Sequence, residues 1–131
     1  MSDTTNSQWQ LEASGQSGGI EIDLMSSLGS GETWLCELRM EPVYLTFESA
    51  GPVAIRKFAD FVDRNIGKRK YEEESIGVFS GCAVSIVKDD EYEDRFFLRA
   101  RGAGSCFDLT FAGDETIALS AALKSLVAEL P

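Results

Sequence analysis

Val43-Tyr44-Leu45-Thr46-Phe47-Glu48-Ser49-Ala50-Gly51-Pro52 carries the chain from one periodicity into another. Val43, Leu45 and Phe47 alternate with Tyr44, Thr46 and Glu48, the period of two of a strand with one covered face. Gly51-Pro52 then opens a helix, because proline in a first turn lacks only a donor that has no partner there. Ile55, Phe58, Ala59, Val62 and Ile66 recur at three and four residues as its apolar stripe. In the second half Leu109-Thr110-Phe111 repeats Leu45-Thr46-Phe47 and also leads into a helical stripe, Leu119, Ala122, Leu123, Leu126, Val127 and Leu130, with Asp114 as its expected cap. Ile20 and Ile22 fall opposite Val84 and Ile86 at the same offset. Segments 20–66 and 84–130 therefore read as pseudo-repeats, through duplication or through two sheet-and-helix units meeting one packing demand.

Upstream, Trp9 and Leu11 alternate with polar neighbours, Gly15 to Gly19 reads as a flexible turn, and Ile20, Ile22 and Leu24 resume the period of two. A loop from Ser26 to Gly31 precedes Trp34, Cys36, Leu38 and Met40, the inner face of a third strand, and Pro42 marks the turn into Val43. Past the first helix, Gly67 to Glu74 joins a basic run to an acidic one and reads as a solvated connector, with a docking patch as the functional alternative. Val78 to Val87 reads as one long strand, apolar on both faces, with Gly81 at a bulge or bend; such a strand is central in its sheet or covered by a partner. Lys88 to Arg95 reads as a solvated hairpin tip, then Phe96, Leu98 and Ala100 alternate with Phe97, Arg99 and Arg101, and Phe107, Leu109 and Phe111 form the last strand.

The expected fold is a two-layer α+β domain over 8–131 behind a disordered tail, 1–7. Its antiparallel sheet has about six or seven strands in the order ββββα-βββα, with helices near 52–66 and 115–129 packed on one face. At 131 residues such a domain buries about two thirds of its unfolded surface without metals or disulfides.

With 22 acidic and 12 basic residues the net charge is −10, which repels phosphate backbones and anionic lipid, so neither nucleic acid nor a membrane is an expected partner. No apolar stretch reaches the length of a membrane span and Met1 to Ser7 lacks the pattern of a secretion signal, which makes the cytoplasm the expected compartment. Cys36, Cys82 and Cys106 are an odd set without metal-knuckle spacing, and no histidine accompanies them. They read as buried thiols; a nucleophile would need a base beside it. The carboxylates of Asp89 to Asp94 lack the ligand spacing and central glycine of a calcium loop. Gly29-Ser30-Gly31 leads into a strand rather than the helix a phosphate site requires. No metal and no cofactor is expected.

On the outward strand faces, Arg39, Tyr44, Phe97, Arg99 and Arg101 bring together the residue types that interfaces favour. They read either as cross-strand pairs with Glu37, Glu48 or Asp108, or as a partner-binding surface on the side of the sheet without helices.

The strand order, the helix bearing Phe58-Ala59-Asp60-Phe61, the strand opening on Ser80-Gly81 and the strand carrying Leu98-Arg99-Ala100-Arg101 resemble a family of small uncharacterised bacterial proteins of unknown function. The likeness covers nearly the whole chain from Trp9. Its motifs are packing motifs, the family's frequent tryptophans and histidine before the Gly81 strand are missing here, and it implies no activity. The acidic α+β character also looks like class I secretion chaperones and toxin-immunity proteins, though the former open with a helix that this chain lacks. The functional expectation is a non-catalytic protein-binding module, immunity- or chaperone-like toward a basic partner, and a homodimer through the open face or a sheet edge. The alternative is a small hydrolase using carboxylates or Cys82.

Overall fold

The computed structural model describes residues 9–27, 33–102 and 105–130. The expected tail at 1–7 and Gly29-Ser30-Gly31 lie outside the described residues. Eight strands form one antiparallel sheet in chain order: β1 (Trp9–Ser17), β2 (Ile20–Ser27), β3 (Trp34–Met40), β4 (Val43–Ser49), β5 (Glu72–Phe79), β6 (Cys82–Lys88), β7 (Arg95–Gly102) and β8 (Ser105–Ala112). Helix α1 (Pro52–Asn65) follows β4 and α2 (Asp114–Ala128) follows β8.

The sheet thus has eight strands, not six or seven, and the order is ββββαββββα. The run 78–87 is two strands, because Ser80 (φ 49°) and Gly81 (φ 79°) take the left-handed conformations of a tight hairpin turn instead of a bulge. The connector is shorter than its charge suggested, since Glu72, Glu73 and Glu74 already pair with Lys88, Val87 and Ile86. Gly15 is likewise in a strand, the turn being confined to Gly18-Gly19. Asp114 is the first residue of α2 rather than its cap, a position that Gly113 holds.

The core lies between the inner sheet face and the helices. Ile22, Leu24, Leu38, Phe47, Ile86 and Leu98 from the strands meet Phe58, Phe61, Leu119 and Leu123 from the helices, all buried. Each such side chain stabilises the fold by about 1.5–3 kcal/mol. Phe61 stands edge-on to Phe96 at 6.3 Å. The helices are exchanged between the halves. α1, which follows β1–β4, packs on β5 and β6; α2, which follows β5–β8, packs most extensively on β1 and β2.

The two halves meet at a narrow seam. β4 and β5 share one ladder pair, Glu48 opposite Val78, and a Cβ on Gly77 would sit 2.3 Å from the Glu48 carbonyl oxygen, so only glycine permits that approach. Strand β4 begins beyond the end of β5, and β5 begins beyond the end of β4. The second half also coils tightly: Phe79 on β5 and Phe107 on β8 touch edge to face at 5.6 Å, although three flat strand spacings would hold their backbones about 14 Å apart.

Candidate functional site

The face opposite the helices is crossed by one ladder row, Leu11, Met25, Leu35, Glu48, Val78, Ala83 and Arg101 on β1 to β7, whose backbone pairing continues into β8. Leu11 is 57 % exposed and Val78 44 %, while Met25 and Leu35 are half-buried. Two bulges produce this row. The register shift between Leu11 and Ala13 turns Leu11 outward while Ala13 enters the core, and the shift between Ser75 and Gly77 does the same for Val78.

The five residues expected at a partner surface all face outward but fall into two groups. Arg39 and Tyr44 lie directly opposite each other on β3 and β4, with the guanidinium 5.8 Å from the ring centroid. Arg39 pairs with Glu21 (3.0 Å) and Asp23 (3.4 Å), not with Glu37 or Glu48; the Glu21 hydrogen bond pushes its pKa up. Tyr44 donates to Glu37 (2.8 Å), which pushes the phenol pKa up. Phe97, Arg99 and Arg101 lie on β7, four strands from β3 along the sheet, though the coil of the second half brings Asp108, the partner of Arg99, to the same depression as Tyr44. The Phe97 ring is flanked by the guanidinium groups of Arg95 (5.4 Å) and Arg99 (5.5 Å). Arg99 donates twice to Asp108 (2.8 and 3.2 Å), a partner that sequence had named, and that bond pushes its pKa up. Arg101 is exposed and makes no ion pair among the described residues. The doubly apolar look of β6 has an internal cause. β6 is central between β5 and β7, and outward-facing Val87, 1 % exposed, lies in its row between Glu73 and Phe97.

Charge divides along the chain. Before residue 52 there are eight carboxylates and one cation, Arg39. From this segment Glu21, Asp23, Glu37 and Glu48 stand on the helix-free face, Glu48 within the row and Asp23 and Glu37 two residues along β2 and β3 from Met25 and Leu35.

The 88–95 loop is a hairpin tip, exposed from Asp90 to Asp94 as expected, but its base is also a buried strut. Lys88 is fully buried and its ammonium donates to the carbonyls of Asp89 (2.6 Å) and Tyr92 (2.8 Å). The Gly67 amide after α1 donates to the Glu93 carbonyl (3.2 Å), and the Gly113 amide before α2 donates to the Asp94 carbonyl (3.0 Å). Asp89, also buried, accepts from the Glu91 amide (2.8 Å) and pairs with Arg95, whose guanidinium lies 4.1 Å from the Tyr92 ring centroid. Burial pushes the Asp89 pKa up, but the Glu91 amide and Arg95 outweigh it and hold it below the usual carboxylate value. Glu72 is lowered too, mainly by the Asn65 amide (3.0 Å). A depressed folded-state pKa gives stability that is present above the unfolded value and lost as pH falls through the folded one. Unfolding free energy is therefore expected to fall as pH drops below about 4, with a shallower slope in Asp89→Asn. Urea titrations across that range check it, and an unchanged slope would refute the Asp89 role.

Cys36 and Cys82 are buried. Burial first, then Asp23 and Glu37, push the Cys36 thiol pKa strongly up, so it stays protonated. Cys82 packs its sulfur over Gly102; the Cys106 side chain lies outside the described residues. Among the described residues no group of three or more Cys, Asp or Glu is placed to hold a metal ion, and no helix is long and apolar enough to cross a membrane. The chain matches no known protein family, no curated protein and no solved structure.

Proposed function

We propose that this chain is a non-catalytic protein-binding module, immunity- or chaperone-like, which receives a basic partner on the helix-free face of its sheet. The observation that carries this reading is the ladder row across the sheet, in which exposed Leu11 and Val78 and half-buried Met25 and Leu35 are joined through Glu48 and flanked by Asp23 and Glu37. Apolar residues set among charged ones are the anatomy of an interface. A net charge of −10 steers a cationic partner to it at rates that fall with salt.

Affinity capture from native lysate at low and high salt tests the reading. The wild-type chain is expected to retain a basic protein at low salt and release it as salt rises, and the double variant Leu11→Glu/Val78→Glu to bind that protein at least tenfold more weakly. Equal retention by the variant would overturn the proposal. So would turnover in an esterase, phosphatase or glycosidase screen that disappears in Cys82→Ala.

A further inference from the structure

Among the described residues, strands β4 and β8 are both open edges, and they face the same apolar groove. The stagger at the seam leaves β4 paired only with β3 over Val43–Phe47, since its single contact with β5 is at Glu48. Among the described residues strand β8 pairs only with β7. Between them lies a depression of about 340 Å³ whose apolar lining is Val43, Leu45, Phe79, Phe107 and Leu109.

The other edges are guarded. β1 carries a bulge, and α2 reaches over it so that Glu129 accepts from the Ser14 amide (2.9 Å). The start of β5 is Glu72-Glu73-Glu74, a charge run of the kind that deters strand addition. β4 and β8 lack such protection: the outward residues at the groove are Tyr44 and Asp108, and the rest of its lining is apolar.

We infer that β4 and β8 receive between them an extended, cationic segment of the partner, which adds a strand joined to both edges. The inference rests on the binding-module reading and names the conformation and charge of the bound element. Unpaired backbone groups on both sides demand a strand, because strand addition supplies main-chain hydrogen bonds while alternate side chains fill pockets. The groove fixes the apolar alternation. Charge fixes the sign, since around Tyr44 and Asp108 the four carboxylates Glu21, Asp23, Glu37 and Asp108 outnumber the three guanidinium groups of Arg39, Arg99 and Arg101.

The probe is a capped heptapeptide of alternating lysine and valine, added to the full chain and read by amide hydrogen exchange. At saturating peptide, exchange in 43–47 and in 105–112 is expected to slow at least tenfold. The same peptide with alternate backbone nitrogens methylated keeps its charge and apolar surface but loses its donors to one edge, and is expected to bind at least tenfold more weakly. Phe79→Ser, at a partly exposed position, is expected to weaken the unmethylated peptide similarly. Equal binding of the two peptides, protection of one edge alone, no binding, or a peptide-free dimer in which both edges are already protected would each overturn the insertion. If such a result accompanies capture of a basic partner that Leu11→Glu/Val78→Glu abolishes, the binding-module reading stands and the strand insertion alone fails.

Discussion

Gly15→Ala is expected to destabilise the protein by about 3 kcal/mol or more, with a melting temperature lower by roughly 10 °C. A Cβ at this position would stand 1.9 Å from the Ala122 carbonyl oxygen and 2.6 Å from the Leu126 amide nitrogen. Both are backbone atoms of α2, so relief requires the helix to withdraw from β1, and α2 packs more extensively on β1 than on any other element. Overpacking at flexible side-chain tips is absorbed by rotamer changes, whereas a clash with a helix backbone moves every core residue on that helix, Leu119, Leu123 and Leu126 among them. Against a total stability of about 5–15 kcal/mol this is a large fraction. Urea and thermal denaturation of Gly15→Ala beside Gln10→Ala, a substitution at an exposed residue of the same strand, measures it. A loss within about 0.5 kcal/mol, the ordinary range for a surface change, would show that α2 does not seat on β1 at Gly15.

Lys88→Ala carries the second large effect, about 3 kcal/mol. Its ammonium is buried and serves two loop carbonyls; truncation strands those acceptors, each costing roughly 1–3 kcal/mol, and leaves a cavity where the alkyl stem packed. Lys88→Met restores the stem without the donor and separates the two contributions. Burial holds the Lys88 pKa below its ordinary value despite the carboxylates of Asp89, Asp94, Glu93 and Asp90. The sign of the linkage follows: the favourable contribution is complete above the unfolded lysine value and is lost as pH falls through the lower folded value. Wild-type stability should therefore gain from alkaline pH a component that Lys88→Met lacks. Hydrogen exchange of residues 89–94 should accelerate in both variants, and unchanged protection would mean that the loop does not depend on Lys88.

Strands β2, β3, β4, β7 and β8 and both helices were legible because each buries one face, and Ile22, Leu38, Leu45, Leu98 and Leu109 show the corresponding periodicity. β5 was hidden. It runs past the end of β4 as an edge, and an edge strand is protected by charge, so Glu72-Glu73-Glu74 reads as a loop. Gly15 read as a turn because its constraint comes from α2, more than a hundred residues later in the sequence. Outward orientation of Arg39, Tyr44, Phe97, Arg99 and Arg101 followed from alternation, but their separation into two groups depends on strand order. The outward turn of Leu11 and Val78 depends on bulges at Glu12 and Ile76, which reverse the phase that alternation alone assigns to them.

The exchange of helices between the halves bears on synthesis at the ribosome. When β1 to β4 have emerged, the apolar side of β1 and β2 has no cover, because α2, which packs there, ends at Ala128. Strands β1 to β4 must therefore wait through translation of the residues up to Ala128 as an open, aggregation-prone sheet, at about 5–20 residues per second. The eight carboxylates before residue 52 have a second use in that interval: like charge keeps such nascent sheets from pairing with one another until α2 arrives.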